Sequence, residues 1–172
     1  MPRPSITPVR VLVAAQLVAI VVVGLVTAFN FSHFTGDEGA HYSYVQHVAQ
    51  DGAIPVLPRA LISPEAEAIY EQRYPAAGLL DPARRGLGGR SYEAFQPPLY
   101  YGVAALPFLA GGGNYLVKLR LLRLLGVAFL LAAAWLMWRL VQRVARAPEQ
   151  ALGLYALALS FLLWPGTVLR VV

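Results

Sequence analysis

The chain has 172 residues, of which 58% are hydrophobic and only 13% charged, and its mean hydropathy is +0.55. A soluble domain carries about 25% charged residues, so a soluble enzyme, a disordered tail and a nucleic-acid-binding domain all fit poorly. The net charge of +5 sits at the ends of apolar stretches and forms no basic stripe interleaved with exposed aromatics, so it points to membrane topology rather than to nucleic acid.

Residues 1–10, with Arg3 and Arg10, precede an uncharged run from Val11 to Phe29. At about 1.5 Å per residue a helix of this length matches a hydrocarbon core of about 30 Å, so residues 11–29 are predicted to form a first membrane span. A secretory signal peptide is the competing reading. The run is longer than the usual apolar region of such a peptide, and no small-x-small cleavage site follows before Phe29-Asn30-Phe31, which favours a retained anchor. Residues 30–96 form a polar insert with eight of the nine acidic residues, five arginines and all three histidines, a net charge of −3.

Residues 97–110 are apolar but too short to span; they open on Pro97-Pro98 and end before Gly111-Gly112-Gly113. An interfacial or re-entrant helix is expected there. A second span is predicted at 121–141, uncharged from Leu124 to Trp138 and flanked by Arg123 and Arg139. A turn at 142–150 and a third span at 151–169, with Trp164-Pro165 near its end, complete the chain. It stops abruptly at Val172, so the sequence is expected to be the first part of a longer protein. The predicted fold class is all-α integral membrane, with three transmembrane helices and a large first loop carrying amphipathic surface helices. With no cysteine there is no disulfide framework, thiolate metal site or thiol nucleophile.

The positive-inside rule places Arg3 and Arg10, and the turn containing Arg143 and Arg146, in the cytoplasm. The acidic insert is then extracytoplasmic. Lys118, Arg120 and Arg123 break the pattern, because they cluster at the outer mouth of the second span, where the rule expects few cations.

The insert opens with Phe34-Thr35-Gly36-Asp37-Glu38-Gly39-Ala40-His41-Tyr42. Thr35 followed by Glu38 is a capping-box pattern, predicted to start a helix with both carboxylates in its first turn, near the positive end of the dipole. Asp51-Gly52, with Pro55 beyond, is expected to close it. Tyr42, Val45 and Ala49 share one face, which suits a helix lying on a membrane surface. Asp37 and His41 are four apart and point the same way. The bland reading is that Glu38 caps, Asp37 favours the dipole and His41 is solvated. The sharper one is that a carboxylate a few residues beyond a span stands where headgroups meet water, within reach of a lipid-linked reactant.

The Asp-Glu pair after the first span, continuing through Ala40, Tyr42 and Tyr44 to Gly52 and Pro55, is followed by Gln96-Pro97-Pro98-Leu99-Tyr100-Tyr101 before an arginine-bearing span. This order resembles the N-terminal part of GT-C membrane glycosyltransferases, in the branch of protein O-mannosyltransferase and aminoarabinose-transferase relatives. The resemblance covers about Val11 to Val172, the first part of such an enzyme. One departure is Gln96, where relatives often carry Lys or His before Pro-Pro.

The resemblance implies inverting transfer of a sugar from a polyprenyl-phosphate carrier to an acceptor hydroxyl on the extracytoplasmic face. It implies Asp37 as general base and Glu38 as a helper. Arg120 and Arg123, with Lys118 third, are candidates for the donor phosphate, since arginine's planar fork matches phosphate oxygens; snorkelling to headgroups is the alternative for each. His41, Gln96, Tyr100 and Tyr101 complete the implied substrate-binding set. No cofactor is certain from the sequence, and a divalent metal stays open. A divalent metal has only the His41–Asp37 spacing behind it, with no further ligand set visible and His33 and His47 unassigned. Arg84, Arg85 and Arg90 read as solvated loop charges. Expected partners are the polyprenyl-phosphate sugar, membrane lipid and an unidentified glycan, lipid or protein acceptor. Two other classes stay open: a non-catalytic membrane scaffold or polymer-assembly subunit binding through the outer loop, and a transporter fragment.

Overall fold

A computed structural model of the chain describes residues 8–31, 34, 37–56, 61–63, 65, 66, 69 and 92–162. In chain order the elements are α1 (Pro8–Asn30), α2 (Glu38–Gln46), a π-helical turn (His47–Asp51), a 3-10 turn (Tyr92–Phe95), α3 (Leu99–Ala110), α4 (Tyr115–Val144) and α5 (Pro148–Leu162), with no strand among the described residues. The chain is therefore all-helical where described. By length and composition α1 and α4 can each cross a membrane, and only 22% of the apolar window of each is buried. The core helix of a soluble domain hides most of such a surface. α5 covers the first part of the predicted third span, and Trp164-Pro165 lies outside the described residues.

The chain divides into two units, Met1–Ala28 with Arg123–Val172, and Phe29–Leu122. In the first, α1 buries every fourth residue along one stripe: Gln16, Ile20, Gly24 and Ala28. Small residues at Gly24 and Ala28 let α4 approach closely, as at helix contacts in lipid. Ile20 packs with Leu130, Ala134, Tyr155 and Leu159. Gln16 Nε2 donates to the Ala156 carbonyl at 3.1 Å and to Ser160 Oγ at 2.9 Å. Polar groups bonded across helices in this way tie α1 to α5.

A Cβ at Gly24 would stand 2.5 Å from Val127 Cγ2. Valine is stiff about χ1 and cannot swing clear. Gly24→Ile is expected to lower stability by about 1–3 kcal/mol through overpacking, read by thermal unfolding in detergent. Combining it with Val127→Ala should recover part of the loss; no recovery would mean that this contact is not the cause.

In the second unit, α2 is buried at Gly39, Ala40, Tyr42, Ser43, Tyr44 and Val45. This corrects the expected amphipathic surface helix: neighbours cover more than the Tyr42–Val45–Ala49 face. Tyr42 packs between Phe34 and Phe108, with ring centroids 5.2 Å from each. The Ser43 hydroxyl accepts from the Ser63 amide at 2.7 Å. Gly52 closes the segment as expected, in the left-handed region at φ 62°, which glycine enters without steric cost. α3 buries Tyr101, Ala104, Ala105 and Phe108 and exposes Leu99, Val103 and Leu106, so an apolar stripe faces outward, as an interfacial or re-entrant helix requires.

Two boundaries differ from expectation. The N-cap of α2 is Asp37 rather than Thr35, and Thr35 lies outside the described residues. α4 starts at Tyr115 rather than at 121, because its first turns accommodate their cations with partners: the Lys118 ammonium contacts Glu65 and Phe108, and Arg120 lies over the Phe29 ring.

Candidate functional site

Asp37 enters α2 through its main chain. Its carbonyl accepts from the amides of Ala40 at 2.9 Å and His41 at 3.3 Å. An N-cap aspartate usually turns its carboxylate onto the next amides, but here the side chain makes no capping bond. It stands beside His41 instead, with Oδ2 3.8 Å from Nε2.

His41 is the centre of the group. One helical turn of α2 brings it over Asp37, and on its other side Nδ1 shares a 2.8 Å hydrogen bond with the Tyr101 hydroxyl of α3. Glu93, from the 3-10 turn, places Oε2 3.7 Å from Nδ1. One ligand-type atom from each of Asp37, His41 and Glu93 lies within 4.8 Å of the others. The cluster is graded in exposure: the side chains are 44% exposed at Asp37, 31% at His41 and 5% at Glu93. It is therefore open at the aspartate and sealed at the glutamate.

The sealed end is built by Gln96-Pro97-Pro98. The Gln96 amide donates to the Glu93 carbonyl at 2.8 Å, closing the 3-10 turn, and Gly102 donates to the Pro98 carbonyl at 2.9 Å, opening α3. Proline suits this corner because a helix start leaves the first amides unused. The Gln96 carbonyl accepts the Tyr44 hydroxyl at 3.2 Å, and the Tyr44 and Tyr101 rings stack at 3.6 Å. The aromatic stack thus fixes Tyr101, which fixes the His41 ring. Burial first, then the Glu93 charge, pushes the Tyr101 hydroxyl well above its ordinary range, so it stays protonated. Tyr100 is shifted upward by burial and secondarily by the Glu38 charge.

The site residues read from the sequence separate into groups. Asp37, His41 and Tyr101 come together. Gln96 joins through its backbone carbonyl, and Tyr100 packs edge-on against Tyr101 at 5.2 Å. The three cations do not act alike. Lys118 is buried and holds both oxygens of Glu65 at 3.1 Å. Arg123 is buried in the first unit and donates to the Thr27 carbonyl at 3.2 Å, satisfying an open carbonyl in the last turn of α1. Arg120 is half-buried, over the Phe29 ring at 5.8 Å, with no ion pair among the described residues. Burial thus argues against Lys118 and Arg123 as phosphate ligands and leaves Arg120. His47 pairs with Asp51 at 2.8 Å, whereas His33, Arg84, Arg85 and Arg90 lie outside the described residues.

Sequence reasoning missed Glu93. Its signal was weak: it is the acid nearest the Pro-Pro motif, but 52 positions separate it from His41, and no local spacing links them. No protein-family model matches the chain, and comparisons with curated proteins and with solved structures gave no significant match.

Proposed function

We propose that this chain is the N-terminal part of a membrane glycosyltransferase of the GT-C type, with three spans and the 30–96 segment on the extracytoplasmic face. It passes a sugar from a polyprenyl-phosphate carrier to an acceptor hydroxyl, with inversion. The supporting observation is the state of Asp37: an accessible carboxylate, free of capping duty, beside a histidine that Tyr101 holds in place. A general base needs access, an ionised carboxylate and a fixed position. Asp37 lies seven positions beyond Asn30, so at about 3.5 Å per residue it stays within about 25 Å of the end of α1. A lipid-anchored donor can meet it there. Arg120 supplies the charge for the departing phosphate, and Glu38 orients the acceptor.

The direct test is transfer of labelled sugar from polyprenyl-phosphate donors in membranes carrying the protein, across hexose and pentose donors. Absence of transfer from every such donor would overturn the reading. Arg120→Gln is expected to raise KM for the lipid donor about tenfold, the loss of one charge-assisted hydrogen bond, and to lower kcat as well, because the charge on the departing phosphate grows in the transition state. Arg123→Gln should instead lower the unfolding temperature, because it strips a partner from the end of α1. An unchanged donor KM in Arg120→Gln would remove its phosphate role.

A further inference from the structure

Glu93 is a buried acid of the second unit. Its side chain is 5% exposed, and Oε2 has no hydrogen-bond partner among the described residues. A buried carboxylate oxygen left without a donor is costly unless a charge compensates it. Among the described residues its one basic neighbour within ion-pair distance is His41, and that same ring faces a second carboxylate, Asp37.

A bare imidazolium between two acids does not account for the distances. At 3.8 and 3.7 Å, neither carboxylate is hydrogen-bonded to His41. The nitrogen nearer Glu93 is already engaged by the Tyr101 hydroxyl at 2.8 Å. In the tautomer that donates from Nδ1 to the Tyr101 oxygen, Nε2 carries the lone pair, and it is the ring nitrogen nearer Asp37 Oδ2, 3.8 Å away. This is the arrangement of a metal-bound histidine, whose second nitrogen is oriented by an outer hydrogen bond. Two ligands of one tetrahedral ion, each about 2.1 Å from it, lie about 3.4 Å apart. The observed 3.8 Å is close to that separation and too long for any direct bond.

We infer that Asp37, His41 and Glu93 form a binding site for one divalent transition-metal ion of the zinc or manganese type, with Tyr101 orienting the histidine. The donor set of one imidazole and two carboxylates suits these ions. The ion neutralises the buried Glu93 charge and keeps open positions on the exposed Asp37 side, where a substrate oxygen or water can bind. Asp37 ligates through one oxygen and keeps the other for a proton. The inference rests on the cluster geometry alone and stands whether or not the chain transfers sugar.

The test is Zn2+ binding to the untagged, chelator-stripped protein in detergent, by calorimetry, with Mn2+ electron paramagnetic resonance as a second probe. One ion per chain is expected, together with a rise in unfolding temperature on adding Zn2+. Glu93→Gln and His41→Asn, which keep size and helix position, should each weaken binding more than tenfold and abolish the thermal shift. Tyr101→Phe should keep the stoichiometry and lose about tenfold in affinity, as for an orienting partner. Absence of stoichiometric uptake, or wild-type affinity in both Glu93→Gln and His41→Asn, would overturn the site.

Discussion

Asp37→Asn is expected to lower kcat for sugar transfer by about 10²–10⁴-fold, the usual contribution of a general base. In chelator-stripped protein its stability should stay within about 0.5 kcal/mol of wild type. The two halves of this result follow from separate features of Asp37. Asparagine is as good an N-cap as aspartate, and the Asp37 side chain makes no capping bond, since the carbonyl carries the helix start. Nothing structural is therefore lost. An amide, however, cannot take up the acceptor's proton. A fall in kcat with no fall in unfolding temperature separates a chemical role from a structural one; transfer that survives the substitution at wild-type rate would remove Asp37 as base. Asp37→Glu gives an intermediate case: it keeps the charge but moves it by one methylene, so partial activity is expected.

The parts of the fold legible in the sequence are those that depend on local composition. The uncharged run from Val11 to Phe29 lies within α1, and Gly52 ends the segment that begins at Asp37. Residues 97–110 form a short helix whose outward stripe is apolar. Spacing was sufficient for each. What was not legible depends on partners distant in the chain. Lys118 and Arg123 read as phosphate-ligand candidates at a span mouth, because nothing local shows that Glu65 and the Thr27 carbonyl meet them. The surface-helix reading of α2 failed for the same reason: its second buried face, with Tyr44, is created by Tyr101 from α3. In the candidate site, the Asp37–His41 pair follows from helical spacing, while Glu93 reaches it only through the turn that Gln96-Pro97-Pro98 builds.

Gly111-Gly112-Gly113 shows how identical residues can carry unequal constraints, and the expected effect of alanine is different at each. Gly111→Ala should cost about 2–4 kcal/mol, at or beyond the upper range for overpacking, because its Cβ would lie 2.6 Å from Lys118 Cγ and 2.9 Å from the Lys118 Cα and amide nitrogen. The side chain can rotate away, but the backbone cannot. The Lys118 amide is bonded to the Asn114 carbonyl at 3.1 Å, and Asn114 Oδ1 caps the helix by accepting from Leu116 at 3.0 Å and Val117 at 3.3 Å. Any shift of this turn also displaces the Lys118 ammonium from Glu65 and from the Phe108 ring. Gly112, at φ 57°, has open space for a Cβ, so alanine there meets only the left-handed backbone penalty of about 1–2 kcal/mol. Gly113 has neither restriction, and alanine should change stability by less than about 0.5 kcal/mol. The order of loss in detergent unfolding is therefore Gly111, Gly112, Gly113. Equal losses at all three would mean that general chain flexibility, rather than the approach of α3 to the Lys118 backbone, sets the glycine requirement. In the Glu65→Gln background, part of the Gly111→Ala loss should disappear, since the ion pair that the shift disrupts is already gone.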